Sequence, residues 1–205
     1  MLRHEIRPGL SGSGKRIGLL GGSFNPAHEG HLHISREALK RINLDAVWWL
    51  VSPQNPLKDM SDMAPFKDRL DSASVVARDP RIIVTDLEAK LNTRFTIDSM
   101  KLLKTSFPEK RFVWIMGADN LLQFPQWKDW EKLFSTVPIA IFDRAPYSVQ
   151  ALAGKAAQVF ARSRLTTQYA RNLADFTPPA WTFFRMPLHP ATATEIRANR
   201  KSSPS

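Results

Sequence analysis

"GLLGGSFNPAHEGHLHIS", Gly18 to Ser35, decides how this chain is read. It opens as an apolar run, passes through paired glycines and an Asn-Pro step, and ends in a helical pattern with three histidines. A strand that turns through Gly21 and Gly22 into a helix near Gly30 or His31 brings N–H groups and a positive dipole end to one point. Glycine lets the backbone approach a ligand closely, and Asn25-Pro26 is a turn signal. Such a junction favours phosphate. His28 and His31, with Gly30 leaving room between them, add imidazole donors suited to stabilising charge on a phosphoryl group. Two plainer readings compete: histidines incidental to a helix start, and a zinc pair. The spacing differs from H-E-x-x-H, His33 points elsewhere, and no third ligand is near.

Outward from this junction, apolar runs alternate with helical periodicity. Strands are expected at Arg16–Gly22, Asp45–Ser52, Arg81–Glu88, Arg111–Asp119 and Val137–Arg144, with a further one at Trp181–Pro187. Near-continuous apolar runs suit strands buried on both faces of a parallel sheet. Helices are expected at His31–Ile42, Ala64–Ala77, Thr96–Phe107 and Ser148–Ser163, with a short one at Thr194–Asn199. In the first, Ile34, Ala38, Leu39 and Ile42 share one face. The stretch from Thr166 to Pro179 reads as a loop. The alternation predicts an α/β fold, a doubly wound parallel sheet of the Rossmann-like kind, which binds ligands at the carboxyl ends of its strands. Residues 1–15 read as a disordered leader, 16–200 as one domain and 201–205 as a tail.

Composition narrows the classes. With 205 residues the chain can bury a sizeable core. Cysteine is absent, so disulfides and thiolate chemistry are excluded, in keeping with a cytoplasmic protein. No apolar run is long enough for a membrane span, and the N-terminus has no secretory h-region. The net charge of +10 suits an anionic partner without saying which. No block of five like charges favours a basic tail.

"GGSFNPAHEGH" (Gly21 to His31) resembles the signature of the HxGH nucleotidyltransferase superfamily. Its fuller form, GSF(D/N)PxHxGH, is similar to that of bacterial nicotinate-nucleotide adenylyltransferases. Those enzymes join nicotinate mononucleotide to the AMP part of ATP and release pyrophosphate. The resemblance implies ATP contacts at Gly21, Gly22, Ser23, Phe24, His28 and His31, with the two histidines catalytic, and a mononucleotide contact at Asn25.

Later segments match in order. "SPQNPLK" (Ser52 to Lys58) resembles a Pro-rich family loop, implying mononucleotide contacts at Ser52 and Lys58 and an ATP contact at Lys58. "RFTIDSM" (Arg94 to Met100) resembles Y-T-x-D-T, with Phe95 for Tyr; Thr96 is the implied mononucleotide contact, an N-cap Thr being the plainer reading, and Asp98 is read as structural. In "IMGADNLLQFPQWKDW" (Ile115 to Trp130), Gly117 and Asp119 are read as ending a strand, and the resemblance implies ATP contacts at both and a mononucleotide contact at Asp119. The resemblance makes Asp119 a ribose-hydroxyl acceptor and Trp127 a stacking partner for the pyridine ring; Trp48 and Trp114, within strands, are read as core. Arg144 is either a nucleotide contact or one half of an ion pair. "ATATEIRANR" (Ala191 to Arg200) resembles I-S-S-T-x-I-R, implying an ATP-phosphate clamp at Thr194 and Arg197, with Ala193 in place of a serine.

The activity implied is adenylyl transfer to nicotinate mononucleotide in NAD biosynthesis, with Mg²⁺ accompanying ATP and no protein metal cage. The implied partners are these two small molecules, with no nucleic acid and no membrane. The alternatives are a related adenylyltransferase taking nicotinamide mononucleotide or phosphopantetheine, and a basic RNA- or nucleotide-binding protein on the same fold.

Overall fold

A computed structural model describes residues 14–54, 63–144 and 146–187. Six strands form one parallel sheet: β1 (Arg16–Gly22), β2 (Ala46–Val51), β3 (Ile82–Thr85), β4 (Arg111–Gly117), β5 (Ile139–Phe142) and β6 (Trp181–Phe184). Their order across the sheet is β3-β2-β1-β4-β5-β6, and every pairing is parallel. The chain winds outward from β1 in one direction and then, from β4, in the other. Between β1 and β4 lies the topological switch point, where open α/β sheets take their ligands.

Alternate strand residues enter two separate cores. Ile17, Leu19, Trp48, Leu50, Trp114 and Met116 face one, packed beneath α4 (Thr96–Ser106), α6 (Trp130–Phe134), α7 (Ser148–Ala153) and α8 (Lys155–Val159). Leu20, Val47, Trp49, Val113, Ile115 and Phe142 face the other, packed beneath α1 (Glu29–Arg41), α2 (Phe66–Val76) and the 3₁₀ segment Thr167–Asp175. Burial on both faces is why the strands read as unbroken apolar runs. Trp48 and Trp114 are both core residues, as expected.

Several boundaries differ from expectation. β3 stops at Thr85, and Leu87–Lys90 form a one-turn helix, α3, with Leu87 and Glu88 buried. A short apolar run does not separate a strand from a buried helical turn. β4 ends at Gly117, so Asp119 belongs to the following helix, α5 (Ala118–Gln123). α1 begins at Glu29, one residue before the earliest start expected. The helix expected at Ser148–Ser163 is broken at Gly154, whose backbone is extended, into α7, α8 and the 3₁₀ turn Ala161–Ser163. The loop expected at Thr166–Pro179 contains the 3₁₀ segment, which buries Ala170, Leu173 and Ala174. A three-residue repeat with so few apolar groups is hard to tell from a loop. The expected helix at Thr194–Asn199 lies outside the described residues.

Candidate functional site

The Gly-His junction stands at the end of β1. His28, not a serine or aspartate, caps α1: its Nδ1 accepts from Gly30 N–H at 3.1 Å. His31 returns the arrangement, with its Nδ1 accepting from His28 N–H at 3.2 Å. The ring centroids are 3.9 Å apart. Each Nδ1 accepts from a backbone N–H, so in the neutral ring the proton sits on Nε2. Ring N–H donors at a helix N-terminus are of the chemistry that suits anionic oxygen. His33 turns away, with Nε2 3.0 Å from Pro187 O.

Behind the histidines the support is aromatic. Phe24, at φ 47°, stacks 5.0 Å from Trp49 and lies 4.7 Å from His31. A bulky residue in the left-handed region costs on the order of 1 kcal/mol and persists only where packing over-determines it. Trp49 Nε1–H donates to Ser35 Oγ, which donates to His31 O, so the ring stack and the first turn of α1 are tied together. The face of Phe24 is occupied by this packing. Gly21 also serves packing: a Cβ there would stand 2.4 Å from the Trp114 ring. The missing Cβ admits the Trp114 indole at the end of β1.

At the end of β4, Gly117 makes room for Asp119. A Cβ at Gly117 would lie 2.5 Å from Asp119 Oδ1. Asp119 Oδ2 accepts from Arg144 Nη1 at 2.9 Å, while Oδ1 is buried with no hydrogen-bond partner among the described residues. A buried carboxylate oxygen in that condition is a ready acceptor for a ligand hydroxyl. Of the two readings open for Arg144, the ion pair is what forms.

The remaining expected residues divide. Ser23 is buried, and its carbonyl accepts from Arg69. Asn25 Oδ1 accepts from Ala64 N–H, fastening the loop. Ser52 N–H donates to Gly22 O at 2.9 Å, joining the ends of β1 and β2, and Ser52 Oγ donates to Gln54 O. Thr96 is the first residue of α4 rather than its cap, which is Phe95; no side chain caps that helix. Asp98 pairs with Lys128, in keeping with its structural reading. Trp127 is half-buried, edge-on to Trp114 and 4.8 Å from Phe124. Lys58, Thr194 and Arg197 lie outside the described residues, so the structure describes the parts of the expected site at β1, β2, α4, β4 and β5.

Two buried ionisable groups at this end of the sheet were absent from the sequence reading. Arg69, on α2, donates to four backbone carbonyls. Glu88, on α3, is pushed up to about 7 by burial, opposed by hydrogen bonds from Ser99 and Ser52. Ser99 Oγ donates to Glu88 Oε1 at 3.0 Å and lies 2.8 Å from Thr93 Oγ1. Neither residue sits in a local motif that would have marked it.

Similarity to known proteins agrees with this geometry. The family model described as cytidylyltransferase-like matches residues 19–199. The chain is 50% identical over 198 residues to a probable nicotinate-nucleotide adenylyltransferase of Parvibaculum lavamentivorans, covering 96% of both chains. It is 48% identical over 182 residues to the protein of the same description from Cereibacter sphaeroides, covering 89% of this chain and 96% of the relative. Among solved structures, the Plasmodium falciparum nicotinic acid mononucleotide adenylyltransferase complexed with NaAD superposes with a TM-score of 0.69 over 90% of this chain and 83% of that chain. At 17% identity that likeness speaks for the fold.

Proposed function

The chain belongs to the cytidylyltransferase-like family, among its nicotinate-nucleotide adenylyltransferases, and on that premise we propose that it transfers the adenylyl group of ATP to nicotinate mononucleotide. A phosphate oxygen of the mononucleotide attacks the α-phosphorus of ATP. The bond from that phosphorus to the bridging oxygen breaks, and pyrophosphate leaves with the electron pair. The attacking phosphate is already anionic, so no general base is needed. Catalysis is then positioning and electrostatic stabilisation.

The observation that carries this reading is the paired histidines. With each Nδ1 held by a backbone N–H, His28 and His31 carry their ring donors on Nε2 at one helix start, suited to charge building on the transferred phosphoryl oxygens. Asp119 Oδ1 takes a ribose hydroxyl, and the hydrogen bond from Arg144 to Oδ2 fixes that carboxylate in place. Trp127 offers an aromatic face to the pyridine ring, close to the uncapped N-terminus of α4, whose N–H groups suit the nicotinate carboxylate. Ser52, Lys58, Thr96, Thr194 and Arg197 enter as the family resemblance assigns them. Mg²⁺ accompanying ATP would supply neutralisation of phosphate charge. Among the described residues, no group of three or more His, Cys, Asp or Glu is arranged to hold a metal ion, and no helix is long and apolar enough to cross a membrane.

Pyrophosphate release from ATP and Mg²⁺ should be measured with nicotinate mononucleotide, nicotinamide mononucleotide and phosphopantetheine in turn. Turnover should be strongest with the nicotinate form and lost in His31→Ala. Preference for another acceptor overturns the substrate assignment. Turnover with none overturns the reaction and favours a nucleotide-binding protein.

A further inference from the structure

We propose that Arg69 is a positioning residue whose buried guanidinium fastens the first substrate loop to the second and turns their amides toward the bound phosphates. Arg69 is 2% exposed. Its Nη1–H groups donate to Ser23 O and Ser52 O, each at 2.7 Å, its Nη2–H to Pro53 O at 2.9 Å and its Nε–H to Ala64 O at 3.0 Å. One side chain therefore ties the loop after β1, the loop after β2 and the approach to its own helix. The fork geometry of a guanidinium is what permits donation in these directions at once. The Phe66 ring, 5.3 Å from Cζ, covers it.

The orientation of the carbonyls has a direct consequence. In a trans peptide the C=O and the following N–H point in opposite directions. Carbonyls of Ser23 and Pro53 drawn in toward Arg69 thus direct the N–H groups of Phe24 and Gln54 away from it, at the carboxyl end of the sheet. The Phe24 ring lies against His31, which puts this loop beside the paired histidines. The charge matters as well. No carboxylate pairs with Arg69 among the described residues, and burial lowers its pKa. A cation without a counter-ion in the interior carries a desolvation cost, which an anionic ligand beside it offsets. A neutral amide, with two N–H donors, could meet only half of these four carbonyls.

The inference rests on the adenylyl-transfer reading for its kinetic arm only. Arg69→Lys keeps the charge but not the fork; Arg69→Gln keeps neither. Amide hydrogen exchange is compared first in the wild-type chain and both variants. Loss of protection confined to residues 22–28 and 50–54, with β5 and β6 unchanged, is the expected result. Protection lost evenly across the sheet, or unchanged in both loops, overturns the proposal. If Arg69→Gln does not fold, the exchange pattern of Arg69→Lys decides.

In steady-state kinetics, Arg69→Gln should lose about 10²-fold in kcat, as misplaced reacting groups do. The KM for ATP should rise in Arg69→Gln and stay nearer wild type in Arg69→Lys, a split that a change in folded fraction does not produce. Equal kcat and KM in folded wild type and both variants also overturn it. If the wild-type chain itself shows no turnover, the adenylyl-transfer reading fails, and the exchange experiment still judges the fastening.

Discussion

The two ends of the sheet handle charge in opposite ways. At the amino ends, Asp175 pairs with Arg16 at 2.7 Å and with Arg111, joining the starts of β1 and β4 to the end of the 3₁₀ segment. Asp45 Oδ2 accepts from Lys15 and Arg16 N–H, and Lys110 Nζ donates to Gly14 O. Each charge there has an opposite charge or a polar cap, close to water. At the carboxyl ends, Arg69 is buried against carbonyls alone, Glu88 is buried against hydroxyls, and one Asp119 oxygen is buried without a donor among the described residues. Paired charges near water hold a fold together at small net gain. Uncompensated groups in the interior lower stability and persist where a ligand completes them.

The largest test of this contrast is His31→Ala. Removing one preorganised donor should lower kcat by about 10²- to 10³-fold, seen as lost pyrophosphate release, while the melting temperature falls by only a few degrees, as the loss of one helix-cap contact implies. A comparable loss from Asp175→Asn would break the contrast. Next is Asp119→Asn, which keeps the size of the side chain but replaces one acceptor oxygen and the charge facing Arg144. It should lower kcat/KM by about ten- to a hundredfold, with most of the change in mononucleotide and ATP affinity.

Glu88 sharpens the comparison through pH. Its folded value of about 7 stands above the ordinary 4.5. The folded state therefore holds a proton that the unfolded chain has released, and stability falls as pH rises between those values. Glu88→Gln cannot ionise, so it should gain on wild type as pH rises from 5 to 8, by about 3 °C in Tm at the upper end. Equal pH dependence in the two proteins would remove Glu88 from the account.

The smallest effect is expected at the amino end. The hydrogen bond and charge of Arg16, with help from Arg111, hold Asp175 below its ordinary value of 3.8. Its contribution is present above that pH and drains away as pH falls through the depressed folded value. Asp175→Asn should cost about 1 kcal/mol near neutrality, or roughly 2–4 °C. The difference from wild type should shrink below pH 4, and kcat should be unchanged. A loss of turnover would mean that the two ends of the sheet are coupled.

What the sequence disclosed follows the same division. The strands were legible because both of their faces are buried, and His28 and His31 because the whole constellation is local. Asp119 could be placed by its segment, but not its pairing with Arg144, since those residues come from different strands' ends. Arg69 was illegible: its partners lie five to forty-six positions away, and a lone arginine on an amphipathic helix reads as a solvated one. Phe24 gave no sign of positive φ, because its conformation is imposed by Trp49 and His31. Gly21 was legible as necessary, while its packing against the Trp114 ring was not. Packing against Trp114 and approach to a ligand make the same demand for a missing Cβ.

The outer margins of the sheet carry a consequence for behaviour in concentrated solution. A long, open strand at a margin is a template on which another chain can add. Here both margins, β3 and β6, are four residues long. Beyond β6 the chain folds back alongside: Leu165 N–H donates to Trp181 O, Thr182 Oγ1 donates to Leu165 O, and Arg164 bridges to Trp181 in parallel. The first half of the apolar strand, Trp181 and Thr182, is thereby covered by its own neighbour, which leaves a bare edge of only two residues.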